Sequence, residues 1–136
     1  MRSFLDDAFA DNAQIEILEA ADGVALCRMP ILPMHLNAHG TVMGGAIFTL
    51  ADFAAAVAAA TVQKDDADVV SLHADISFLL PGTGTVLFAR AQKVRHGGTT
   101  TLYEVDVTDE GGKLIARSGV TGFILKSPKK ALDFIH

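Results

Sequence analysis

Between Gly44 and Val62 the chain carries one ionisable side chain, Asp52, in a run of alanine, glycine and larger apolar residues broken only by two threonines. The run is too long for an ordinary strand. Met43, Ile47, Leu50, Ala54, Val57 and Thr61 recur at spacings of four, three, four, three and four. That is one face of an α-helix, so a helix is expected over residues 44–61. Gly45, Thr49, Asp52, Ala55, Ala56 and Ala59 fall on the other face. Side chains that small let another backbone come close. A membrane span has similar length and apolarity, but a central Asp costs ~3 kcal/mol on insertion scales, and no aromatic belt or Lys/Arg cluster flanks the run. It reads as the core helix of a soluble protein.

The flanking segments read as β-structure. Residues 2–10 suggest a short surface helix. Residues 13–20 and 23–29 suggest two strands joined at Asp22-Gly23, a strong hairpin signal. Pro30, Pro33, Asn37 and Gly40 mark residues 30–42 as a loop. From Val69 onward Leu72, Ala74, Ile76, Phe78 and Leu80 alternate with Ser71, His73, Asp75 and Ser77. Further strands are expected at 85–95, 99–108 and 113–125, separated by turns at Pro81–Gly84, His96–Gly98 and Asp109–Gly112. The tail bearing Lys126, Lys129 and Lys130 is expected to be solvated. One long helix with five or six strands predicts an α+β fold, a curved antiparallel sheet wrapped around a central helix. Such a sheet leaves long edge strands, and pairing them with a second copy removes that liability. A homodimer is therefore expected. The 136 residues suit one domain spanning the whole chain, with a core at about 13–125.

Charge and cysteine usage narrow the partners. The formal net charge is -5, and no basic stripe or polybasic block points to nucleic acid or an anionic membrane. The lone cysteine, Cys27, excludes an intrachain disulfide and sits in the apolar run Val24–Cys27, where a buried small hydrophobe is expected. Met1–Asp7 shows no basic region followed by an apolar run, so no signal peptide is expected and the location is expected to be cytoplasmic.

Asp52 is the leading candidate for chemistry. Burying a carboxylate is unfavourable, so it is either a structural acid that accepts hydrogen bonds from Thr49 or a nearby loop, or a base or nucleophile tuned by burial. Gly44-Gly45 opens the helix, where unpaired amides and the positive dipole end suit an oxyanion. A helix start chosen for close packing reads the same way. In the preceding loop, Asn37 suits holding a water or a carbonyl, and equally capping a turn. His35 and His39 have the spacing of helical metal ligands, but Pro33 and Gly40 argue against a helix and no third ligand stands out. No metal is expected.

Taken together, Asn37–Asp52 resembles the signature of the hotdog-fold acyl-CoA thioesterases of the phenylacetate-degradation (PaaI-like) type. In that pattern an Asn is followed six residues later by His-Gly-Gly and then by a helix with Leu-(Ala/Val)-Asp. The likeness continues through Val70–Pro81, Val94–Gly97 and Gly112–Arg117. The resemblance implies hydrolysis of an acyl-CoA to a carboxylic acid and CoA, with no metal or redox cofactor, in a homodimer or a dimer of dimers. It implies Asp52 as the catalytic carboxylate, Gly44 as the amide that polarises the thioester carbonyl, and Asn37 as a residue that orients thioester or water. Ser71 matches a residue that positions water in some members. Phe78 to Pro81 and Arg95, His96, Gly97 and Gly98 match segments lining a CoA groove, and His39, Met43 and Gly45 match positions beside the substrate.

Two features stand out against that pattern. Met43 replaces the family His and cannot donate its hydrogen bond. Ser71 alternates with His73 and Asp75, so it reaches the site only if that face points inward or a bulge re-aims it. Geometry adds a third expectation. Gly44 and Asp52 are eight residues apart, ~12 Å along a helix, too far to serve one carbonyl carbon. Two antiparallel helices from two subunits would bring Gly44 of one near Asp52 of the other. Two rival readings are a non-catalytic acyl-CoA-binding or sensing protein of the same fold, and a hydratase or dehydratase. The latter needs a His with its acid, and the helix carries Asp without His.

Overall fold

The computed structural model describes residues 7–64 and 66–126. Two helices, α1 (Ala8–Asn12) and α2 (Gly44–Val62), accompany six strands: β1 (Glu16–Ala21), β2 (Val24–Pro30), β3 (Asp68–Phe78), β4 (Val86–His96), β5 (Thr100–Asp109) and β6 (Leu114–Leu125). The strands form one antiparallel sheet in the order β1-β2-β4-β5-β6-β3. This is the expected hotdog arrangement, with the sheet left open between its edge strands β1 and β3.

Local chemistry accounts for most boundaries. Asp22 (φ 53°) and Gly23 (φ 82°) both take the left-handed conformation that a two-residue hairpin turn requires. The Thr61 hydroxyl accepts the Gly23 N–H at 2.7 Å, tying this hairpin to the last turn of α2. Asp7 caps α1 by accepting the Ala10 N–H at 2.9 Å. The expected helix at 2–10 is thus centred later, and residues 2–6 lie outside the described residues. β1 also starts later than expected, at Glu16, after Gln14 turns the chain with φ 64°. The loop over 30–42 holds a 3₁₀ turn at Pro33–His35 and an isolated bridge between Leu36 and Val42. His35 is buried there. Its Nδ1 accepts the Leu32 N–H at 3.0 Å and its Nε2–H donates to the Ala13 carbonyl at 2.8 Å, so it braces the loop.

α2 packs against all six strands, which places this long apolar helix (mean hydropathy 1.7) in the core. Ile47, Leu50, Ala54 and Val57 are buried as their spacing predicts. Met43 is not. It is the residue before the first turn, it lies 51 % exposed, and it belongs to the loop end and not to the core face. The small-residue face also divides. Ala55 and Ala59 are buried under the curling sheet, Thr49, Asp52 and Ala56 are half-buried, and Gly45 is exposed. Curvature of the sheet covers more of the helix than a flat layer would.

β3 and β4 each contain a bulge, between Ser71 and His73 and between Lys93 and Arg95. An extra residue reverses the inward and outward alternation beyond it. Lys126 is exposed, and Lys129 and Lys130 lie outside the described residues.

Candidate functional site

The β3 bulge decides where Ser71 points. Ser71 stands opposite Gly122, Ala74 opposite Val120 and Ile76 opposite Ser118, all on the inner side of the sheet. Leu72 is the inserted residue and is 64 % exposed. In a regular strand Ser71 would share the outer face with His73, Asp75 and Ser77. Here its hydroxyl donates to Asp52 Oδ1 at 2.9 Å. Its strand partner Gly122 has no room for a side chain, since a Cβ there would sit 2.7 Å from Val69 Cγ1 and 2.5 Å from Thr101 Oγ1. Thr49 does not compete for Asp52, because its hydroxyl donates to the Gly45 carbonyl at 2.8 Å. The half-buried carboxylate thus holds one fixed hydroxyl donor and keeps a side open to a groove between α1 and α2.

A second group gathers at the start of α2. The Met43 N–H donates to the His35 carbonyl at 2.7 Å, and the Met43 carbonyl accepts the Ala46 and Ile47 amides. The Gly44 and Gly45 amides donate to no group among the described residues. Gly44 sits close under the Phe78 ring, which lies 3.1 Å from where a Cβ would stand and would have to give by a few tenths of an ångström to admit one. Asn37 organises the lead-in loop. Its Oδ1 accepts the His39 and Thr41 amides at 2.9 and 3.2 Å, and its Nδ2 donates to Thr41 Oγ1 at 3.0 Å. His39 and Pro81 are exposed. Next to Pro81, the Gly82 carbonyl accepts the Val42 N–H at 2.9 Å, so the β3–β4 loop also buttresses the helix start.

Within one chain the Asp52–Ser71 pair and the glycine amides remain ~12 Å apart along α2. A model of the thioesterase superfamily matches residues 39–116, which span the end of the lead-in loop, α2, strands β3 to β5 and the start of β6. The chain belongs to the thioesterase superfamily.

Relatives within the superfamily agree over most of their length. The chain is 32 % identical to acyl-coenzyme A thioesterase PaaI of Escherichia coli strain K12, covering 82 % of this chain and 78 % of that one. It is 32 % identical to human acyl-coenzyme A thioesterase 13, covering 76 % and 75 %. The solved structure of the E. coli PaaI protein from the phenylacetic acid degradation operon superposes with a TM-score of 0.84 at 28 % identity, covering 90 % of this chain and 87 % of that one.

The third group named from sequence lies near the C-terminal end of α2. Arg95 and Gly98 are exposed and Gly97 is half-buried. His96, named with them, has its ring in use within the chain. The β4 bulge turns it inward, where Nδ1 accepts the Tyr103 hydroxyl at 2.8 Å and Nε2–H donates to Gln63 Oε1 at 2.8 Å. Both ring nitrogens are taken, and the ring meets Tyr103 edge-on. Burial, and then the Lys93 charge, holds His96 below the usual imidazole range. Burial pushes the Tyr103 phenol up to about 12. Sequence reading missed Tyr103 and Gln63 because neither signals a partner without the bulge. It placed a helix at residues 2–10 but not the bounds of α1, whose five residues include one buried side chain, too few to show a periodicity.

Proposed function

We propose that two copies of this chain form a dimer that hydrolyses acyl-CoA thioesters to a carboxylic acid and CoA. The observation that carries this reading is the Ser71 hydroxyl delivered by a strand bulge onto a half-buried Asp52 in an otherwise apolar helix. The named activities of the E. coli and human relatives support the substrate class.

In this mechanism Asp52 of one protomer works with the Gly44 amide of the other. Ser71 keeps its proton and donates it in a hydrogen bond to Asp52, so its lone pairs are free to hold a water beside the open side of that carboxylate. Asp52 accepts a proton as the water oxygen bonds to the thioester carbon. The negative charge moves to the carbonyl oxygen, where the Gly44 amide and the helix dipole stabilise it. Collapse of the tetrahedral species breaks the carbon–sulfur bond, and Asp52 returns its proton to the departing CoA sulfur. Asn37 acts on the loop that positions Gly44 and keeps a second Nδ2 proton for the substrate. The exposed edge of β3, rich in backbone donors and acceptors, supplies the natural dimer contact.

The test is a turnover panel of aryl- and fatty acyl-CoA substrates run on wild type and Asp52→Asn, with the released acid measured by chromatography. Loss of a positioned base predicts a fall in kcat of about 10²–10⁴-fold with substrate binding retained. Equal turnover by the two proteins removes Asp52 from the reaction.

A further inference from the structure

We infer that the groove between α1 and α2 receives the acyl chain, and that it selects neutral, apolar acyl groups with Phe9 as a specificity-determining residue. This rests on the hydrolase reading of Asp52 and names the part of the substrate that reading leaves open.

The groove measures about 320 Å³ and is lined by Asp7, Phe9 and Ala10 from α1 and by Thr49, Asp52, Phe53 and Ala56 from α2. Asp52 is itself part of its lining, so a group bonded to the attacked carbonyl carbon lies next to it. Its floor is hydrocarbon: Ala10 is 3 % exposed and Phe53 7 %, with Ala56 half-buried beside them. Phe9 stands at the rim, 71 % exposed. Its ring contributes little to the core in that position and presents an apolar wall to anything lying in the groove. Asp7 is held at the same rim by its hydrogen bond with the Ala10 N–H. A ligand chain carrying its own carboxylate would meet like charge from Asp7 as well as Asp52, whereas a hydrocarbon chain gains contact with Phe9, Ala10, Phe53 and Ala56.

Burial of each methylene then predicts a rise in kcat/KM of roughly fourfold per added CH₂ until the groove fills. The experiment compares acetyl- through dodecanoyl-CoA, and succinyl- against butyryl-CoA, in wild type, Phe9→Ala, Ala56→Leu and Asp7→Asn. Titration with non-hydrolysable S-alkyl-CoA thioethers of the same lengths runs in parallel. The groove assignment expects Phe9→Ala to lose activity and affinity in proportion to chain length, reaching about tenfold for the longest chains. Ala56→Leu, which fills the groove, shifts the optimum to shorter chains. Asp7→Asn keeps a good helix cap and narrows the gap between succinyl and butyryl. A uniform effect across lengths, no effect, or a change in oligomeric state with an unaltered length profile overturns it. If wild type hydrolyses none of the thioesters yet binds thioethers with length- and Phe9-dependent affinity, the groove stands and the hydrolase reading falls.

Discussion

The Asp52 carboxylate and the Ser71 hydroxyl were unequal as signals. A lone acid inside an apolar helix is visible in any sequence, because few folds keep one without a use for it. The direction of Ser71 is a property of strand pairing. Strict alternation puts it outside, and only the extra residue at Leu72 brings it within 2.9 Å of Asp52. Ser71→Ala should therefore leave Asp52 without its donor and lower kcat by about tenfold or more, the size expected of a hydrogen bond to a charged group. Its melting temperature should barely change, since Ser71 is an exposed residue. A large drop in melting temperature with unaltered kcat would make the contact purely structural. Asn37 was legible as a polar residue in the right loop, but its use as a brace for His39 and Thr41 required the loop conformation.

Among the elements, α2 was legible almost to the residue, because its apolar period and its Gly-Gly start are both local. The strand bulges were not, since each depends on the register of a neighbour distant in sequence. The β4 bulge builds the Gln63–His96–Tyr103 chain that joins the end of α2 to the β4–β5 hairpin. Its pH response follows from the lowered His96 pKa. As pH falls past the ordinary value of 6.5, the unfolded chain takes up the His96 proton before the folded one does. Stability from this source is full above 6.5 and is lost as pH drops toward the folded value. Thermal melts from about pH 7.5 to about pH 5 should show a steeper decline for wild type than for His96→Gln, which does not titrate. Parallel declines would show that the chain of hydrogen bonds plays no part in acid sensitivity.

For the whole molecule, the proposed reaction uses both the open edge of β3 and the distance along α2 as grounds for a second copy. A shared site can be tested by complementation. Asp52→Asn removes the carboxylate, and Gly44→Pro removes the amide proton at the first helical position, where proline is tolerated. Each variant alone should be inactive while still folded by thermal melting. Refolded together, they should regain turnover, because a mixed dimer rebuilds one complete pair of Asp52 and Gly44. No recovery from a mixture shown to contain mixed dimers would place both functions in one chain. The sheet order was not legible beforehand, since the crossover that puts β3 beside β6 is a long-range choice among compatible patterns. The core it encloses carries one further consequence. Cys27 is fully buried, and burial pushes its thiol up to about 12. At assay pH it stays protonated and out of reach of disulfide reagents such as dithionitrobenzoate. Colour from that reagent would report liberated coenzyme alone while the protein is native, and one extra equivalent per chain would announce that it has come apart.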